Sequence, residues 1–337
     1  MKNIFDYSHE QLEAKLVEMG CKKFVASQVI DWVYQKKVFN PDEFLNINIE
    51  NREKIKNTFA FNFIKIEKIE EDELVKKFLF RLNDGEKIEA VLMYHDYGLS
   101  ICVSSQVGCN MGCRFCESGR LKKVRNLETY EMVEQVILAS QLSNKRIDSV
   151  VVMGIGEPFD NYDNVINFIK IINDAKMLAI GSRHITVSTC GIVPKIEEFA
   201  NLPLQVNLAL SLHAPSDEIR RKIMPIANAY SLDSIMNAIK AYIAKTNRRV
   251  TFEYVMLKDI NDSVECAVML ADLLKGINGY VNLIAYNETN NIDYKASSKK
   301  TIDLFFDTLK QKGIDVTLRR KFGNNISAAC GQLRSKE

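Results

Sequence analysis

Cys109-Asn110-Met111-Gly112-Cys113-Arg114-Phe115-Cys116 carries three thiols at C-x-x-x-C-x-x-C spacing on one short stretch that contains a glycine. A loop of this kind can turn all three thiolates toward one point. Three ligands from one loop, with no fourth in it, suit a cubane iron–sulfur cluster that leaves one iron free to bind and activate a substrate. A zinc site drawing its fourth ligand from elsewhere is the alternative. Zinc loops more often bring cysteines in C-x-x-C pairs, and the sequence has no second pair. Three buried structural cysteines are the remaining possibility.

Outward from this loop the chain repeats a strand–helix rhythm. An apolar run, Leu99 to Ser104, leads into the cysteines. Further strands are expected at Ser149–Met153, His184–Ser188, Gln205–Ser211, Val250–Met256, Val281–Tyr286 and Asp315–Arg319. Helical patterns fall between them, for example at Tyr162–Ala175, Leu232–Ala244, Val264–Leu274 and Thr301–Gln311. Strands alternating with helices imply a parallel sheet with crossovers. The fold class is therefore α/β, an incomplete (β/α)6 barrel, in which chemistry sits on loops leaving the C-terminal strand ends. Gly154-Ile155-Gly156-Glu157-Pro158, Ser188-Thr189-Cys190-Gly191 and Ser211-Leu212-His213 all fall at such ends.

Ahead of the barrel lie two other patterns. Ser8 and Gln11 read as a capping box, with Leu12, Leu16 and Met19 at helical spacing and Gly20 closing the helix. A second helix carries Val25, Val29, Trp32 and Val33, and a third runs from about Glu50 to Phe59. Lys22, Lys23, Lys36 and Lys37 flank the second and as a set could touch phosphates. From Phe61 the pattern changes to strands, with Asn83-Asp84-Gly85 as a hairpin turn. Glu89 sits in an otherwise apolar strand, and its position alone favours the solvent face. These shifts divide the chain into a helical module (1–60), a β extension (61–98), the partial barrel (99–325) and a C-terminal tail (326–337).

Composition narrows the setting. Of 337 residues, 47% are hydrophobic and 26% charged, ordinary for a soluble globular protein. Lys+Arg 45 against Asp+Glu 43 leaves +2, so a nucleic-acid partner would have to be held by local basic patches. The amino terminus has no apolar signal region, and no apolar run is long enough to span a bilayer. Eight cysteines, half of them clustered near the loop, do not form a secreted disulfide pattern. A cytoplasmic protein with no membrane partner is expected.

The cysteine loop and barrel rhythm resemble the radical S-adenosylmethionine (SAM) superfamily. Within it, Cys102-Val103-Ser104-Ser105-Gln106-Val107-Gly108-Cys109, Gly156-Glu157-Pro158, Ser211-Leu212-His213-Ala214-Pro215 and the tail Ala328-Ala329-Cys330-Gly331-Gln332-Leu333 resemble the RlmN/Cfr RNA methyltransferases over nearly the whole chain. The resemblance implies an enzyme that uses a [4Fe-4S] cluster and two SAM molecules to methylate an adenine carbon of 23S ribosomal RNA, and in some members of a transfer RNA. It implies cluster ligation by Cys109, Cys113 and Cys116, and SAM contacts from Gly156, Glu157, Ser188, Ser211, Leu212, His213 and Asn287. By the same resemblance Cys330 accepts a methyl group, a SAM-derived radical activates that methyl, and the methylene adds to the base. Cys102 then resolves the adduct, leaving a transient Cys102–Cys330 disulfide, and Glu89 takes the proton. Adenine ring carbons have no lone pair with which to attack the SAM methyl, so a radical route makes chemical sense. An electron donor such as flavodoxin or ferredoxin is implied, and a monomer is expected.

Three features leave the target atom open. Gly154-Ile155-Gly156-Glu157-Pro158 keeps an RlmN-like proline, whereas Lys321-Phe322-Gly323 looks more like Cfr, and the stretch from Glu117 to Lys123 departs from both. Carbon 2 is favoured over carbon 8. Basic clusters that could grip RNA are Lys122/Lys123/Arg125, Arg220/Arg221/Lys222, Arg248/Arg249, Lys299/Lys300 and Arg319/Arg320/Lys321. Cys21, Cys190 and Cys266 match no family role and are read as packing residues. Another radical SAM enzyme and a zinc-dependent, non-catalytic RNA-binding protein are the rival readings.

Overall fold

A computed structural model describes residues 1–288, 293–319 and 331–333. Its centre is a ten-stranded sheet whose strands follow one another in chain order. They are β1 (Lys65–Asp72), β2 (Val75–Arg81), β3 (Lys87–His95), β4 (Gly98–Val103), β5 (Ser149–Val152), β6 (Ile185–Thr189), β7 (Asn207–Ser211), β8 (Val250–Met256), β9 (Gly279–Ala285) and β10 (Val316–Leu318). β1 to β4 pair antiparallel. From β4 to β10 every neighbouring pair is parallel.

Each parallel connection needs a crossover, and helices supply it. Three helices open the chain, α1 (His9–Glu18), α2 (Phe24–Ile30) and α3 (Ile49–Thr58). The crossovers are α4 (Thr129–Ser143), α5 (Tyr162–Asn173), α6 (Val193–Phe199), the pair α7 (Asp217–Ile223) and α8 (Leu232–Thr246), α9 (Val264–Leu274) and α10 (Lys299–Gln311). Six βα units and a seventh strand make the expected partial barrel, with β1 and β10 unpaired to one another among the described residues.

The expected strands all form, with ends moved by one or two residues. The Ser8–Gln11 capping box is present, and Gly20 takes φ +81 just beyond α1. The 83–85 turn closes the β2–β3 hairpin, with the Gly85 amide on the Leu82 carbonyl at 3.0 Å. One crossover, α4, lacks the one-sided apolar stripe of a surface helix. Glu131, Glu134 and Gln135 are buried on it beside Met132, Val133 and Val136. Each polar group there has a structural partner. Glu131 takes both arms of Arg125 at 2.7 and 2.8 Å. Glu134 accepts the Ile64 amide at 2.8 Å and the Asn3 side-chain amide at 3.4 Å, the second tying the helical module to α4. Gln135 accepts the Ser104 amide at 2.9 Å and donates to its carbonyl, holding the exit of β4. Among the described residues no helix is long and apolar enough to cross a membrane.

Because side chains alternate along a strand, the register decides which residues share a face. Val91 lies opposite Cys102, and Cys102 opposite Val151. Ser211 lies opposite Glu253, and Glu253 opposite Asn282. Following the pairs across the sheet puts Glu89, Cys102, Ser188, Ser211, Glu253 and Asn282 on one face, the inner one. Glu89 therefore does not point to solvent. It is 4% exposed, with Lys77 Nζ 3.3 Å from its carboxylate.

Candidate active site

The cysteine loop is held at both ends. The Cys109 amide donates to the Leu121 carbonyl at 3.1 Å, and the Arg114 amide to the Ile223 carbonyl at 2.9 Å. Gly112 takes φ +66, and a Cβ at Gly119 would meet the Cys113 carbonyl oxygen at 2.6 Å. The loop can therefore fold tightly only with glycine at these places. Cys109, Cys113 and Cys116 line one cavity, and the loops leaving β5, β6 and β7 form its opposite wall.

On that wall, Gly156 takes φ +109, and a Cβ there would lie 2.6 Å from Gln106 Cβ. The close approach lets Gln106 Oε1 accept the Glu157 amide at 2.9 Å. The Glu157 carboxylate is itself fixed, one oxygen accepting the Phe159 amide at 3.1 Å and the other the Cys190 amide at 2.9 Å. Burial raises its pKa, against the pull of those amides. Each carboxylate oxygen has two lone pairs, so the group can still receive an ammonium. Ser188 and Ser211, at the ends of adjacent strands, stand with hydroxyls 3.2 Å apart.

His213 follows in the left-handed region, φ +56. Its Nδ1 accepts the Val255 amide at 3.1 Å, which fixes the proton on Nε2. Burial, with the nearby Arg220 cation, pushes its pKa down to about 3, so the ring is neutral at working pH. Phe115 of the cysteine loop packs edge-on against it, centroids 5.0 Å apart. Leu212 is buried in the main core and does not line the cavity. Asn287 sits half-buried just beyond β9, next to the cavity-lining Tyr286.

Some site residues escaped the sequence reading. Glu253 lines the cavity from the middle of β8, buried, with both carboxylate oxygens on Asn282 Nδ2 and with Arg319 4.0 Å away. A lone carboxylate in an apolar strand was its one signal. Cys190 is more than packing, since it lines the cavity between Glu157 and Cys113.

Most of the expected RNA-gripping clusters include cations with internal duties. Arg220 is fully buried. Lys123 is paired with Asp160 at 2.7 Å, and Arg125 with Asp84 and Glu131. Arg248 and Arg249 lie at the start of β8, the barrel end opposite the site, on Asn207 and Asp315. Lys122, Lys299 and Lys300 remain exposed, while 320 and 321 lie outside the described residues.

The tail reaches this site. The Gly331 carbonyl accepts the Glu117 amide at 2.8 Å, and Gly331 lines the cavity. Ser118 Oγ donates to the Leu333 carbonyl at 2.5 Å. Leu333 is buried in a small apolar cluster with Cys102, Val75, Val91, Met93 and Ile155. Cys330 lies outside the described residues.

A family model described as the radical SAM superfamily matches residues 103–270. A second, described as the ribosomal RNA large subunit methyltransferase N-terminal domain, matches residues 2–60. A probable dual-specificity RNA methyltransferase RlmN of Spiroplasma citri is 51% identical over 340 residues, spanning 100% of this chain and 98% of the relative. The protein of the same description from Acholeplasma laidlawii is 52% identical, over 99% of each chain. The chain belongs to the RlmN/Cfr family. A crystal structure of a radical SAM methyltransferase from Sphaerobacter thermophilus superposes on it with TM-score 0.94 at 36% identity, covering all of both chains.

Family membership makes a [4Fe-4S] cluster and SAM its cofactors, and the residues present fit both. Burial pushes the Cys109 thiol up to about 12 and Cys113 well above its ordinary value. Thiolates there need a strong cationic partner, which iron supplies. Among the described residues, no three His, Cys, Asp or Glu side chains gather around a single-ion position. A cubane does not ask for that, because each thiolate takes a different iron.

Proposed function

We propose that this chain methylates a ring carbon of adenine, carbon 2 in preference to carbon 8, in 23S ribosomal RNA and also in transfer RNA. The observation that carries the reading is the single cavity: three cysteines on one wall, the Glu157, Ser188, Ser211 and His213 loops on the other, and Gly331 at the tail. The relatives' description as dual-specificity RNA methyltransferases supports the RNA substrate and its plurality.

When bound, the cluster and SAM supply one-electron cleavage chemistry that no side chain provides. The chain's own residues position and protect it. Cys109, Cys113 and Cys116 hold the cluster. Glu157 accepts the SAM ammonium, and the paired Ser188 and Ser211 hydroxyls, the His213 Nε2–H and Asn287 offer hydrogen bonds around it. Gly156 keeps the wall thin, and Leu212 contributes backbone. Cys330 carries the methyl group to the base, and Cys102, on the inner face beside Leu333, resolves the adduct. Glu89 shares that face and serves as the base. Its Lys77 partner must release it or relay the proton.

A flipped adenine must reach the cavity mouth, and exposed lysines such as Lys122 hold phosphates without choosing the base. The chain works as a monomer in the cytoplasm, reduced by a flavodoxin- or ferredoxin-type donor. Anaerobic reconstitution with SAM, a low-potential reductant and either RNA, followed by nucleoside mass spectrometry, tests the reading. 2-Methyladenosine in both RNAs supports it. 8-Methyladenosine, or no methylated adenine from a protein holding about four irons, overturns it.

A further inference from the structure

Arg220 sits on α7 with no exposed surface, and among the described residues no carboxylate is within ion-pair distance. Its hydrogen bonds go to backbone carbonyls. Nη2 donates to Cys190 O at 2.6 Å and to Ser211 O at 3.3 Å, and Nε donates to Leu212 O at 3.2 Å. Nη1 is buried without a partner. A buried cation without a counter-charge is costly, so a folded protein that keeps one has something negative for it to face. Its partner Cys190 lines the cavity together with Cys113; both thiols, and the non-contacting carboxylate of Asp217 on its own helix, lie within its electrostatic reach. His213 also feels it, but is neutral.

We propose that Arg220 is a positioning residue with two roles: it clamps the loops after β6 and β7 into one SAM-binding wall, and its fixed charge is the counter-ion of the cluster bound at Cys113. The proposal rests on the cluster reading above. A cubane core held by three thiolates is net negative and becomes more so when reduced. A nearby buried cation stabilises the reduced form more than the oxidised one and so raises the potential. One electron enters from an external low-potential donor, with no bond or proton change at Arg220. Arg220 also explains why its basic neighbours Arg221 and Lys222 are surface residues while it is not. It faces the two loops, and they face solvent.

The test uses the full-length reconstituted protein without RNA. The midpoint potential of the cluster is read by spectroelectrochemical titration with EPR, and SAM affinity by equilibrium dialysis. Arg220→Gln should shift the potential to more negative values. Arg220→Lys keeps the charge but cannot span three carbonyls. It should hold the potential near that of the parent while SAM binds about tenfold more weakly, the scale of a charge-assisted hydrogen bond. If Arg220→Gln does not fold, Arg220→Lys carries both tests: parental SAM affinity in that variant overturns the clamp, and a potential shifted away from the parent's overturns the counter-ion. An unshifted potential in folded, cluster-loaded Arg220→Gln overturns the counter-ion. A parent protein that takes up no iron would instead overturn the cluster reading itself.

Discussion

The amide of Glu117 donates to the carbonyl of Gly331 at 2.8 Å, stitching the carboxyl-terminal tail to the chain just after the last cysteine of the loop. Two residues further along the tail, the Leu333 carbonyl accepts the Ser118 hydroxyl, and the Leu333 side chain is buried in the cluster containing Cys102. Residues 331–333 are thereby anchored both at the cavity and on the inner sheet face.

Removing the apolar anchor should separate two activities. Leu333→Ala in a buried site costs on the order of 2–5 kcal/mol of packing, enough to loosen the tail. Base methylation should fall at least about tenfold, because 1.4 kcal/mol is already one decade. SAM cleavage to 5′-deoxyadenosine, quantified by chromatography under reducing conditions, should persist. Cys330→Ala should show the same split in its extreme form. Loss of SAM cleavage in both variants would place the tail's role in SAM binding instead.

Gly156 should not tolerate a side chain. Its φ of +109 is strained for any L-residue, and the added Cβ would run into Gln106. Gly156→Ala should lower stability by roughly 1–3 kcal/mol and weaken SAM binding, because the Gln106–Glu157 bond is pushed apart. Thermal melts and SAM dialysis check both effects.

Burial drives the Glu134 carboxyl up to about 9. Unfolded, it would ionise near 4.5, so between these values the folded state binds more protons and stability falls as pH rises. Glu134→Gln can still accept the Ile64 amide but never ionises. It should match the parent near pH 5 and exceed it by roughly 1–3 kcal/mol at pH 8. Denaturant melts across that range read the difference, and a parallel decline in both proteins would contradict the assignment.

The legibility of the chain tracks how directly a residue's job shows in its neighbours. Val250–Met256 and Val264–Leu274 form where expected because their patterns are local. That the three cysteines share one cavity was legible because they sit on one short loop. The helix α4 was not, because Glu134 and Gln135 are buried by partners far away in sequence, Ile64 and Ser104, and Glu131 by an Arg125 fork that no spacing marks. Arg220 looked like its neighbours Arg221 and Lys222, and nothing in a run of three cations marks the one that turns inward. Glu89 looked solvent-facing because its strand is otherwise apolar. Pairing with Lys77, on the next strand but at no readable spacing, makes its burial possible.

The most direct measurement is mass spectrometry of Cys102→Ala after anaerobic turnover with SAM and RNA. Methyl transfer through the tail, with Cys102 resolving the adduct, predicts a covalent RNA–protein species that survives denaturation. Its nucleotide should map to the peptide containing Cys330. Normal turnover by Cys102→Ala, with no such species, would contradict it.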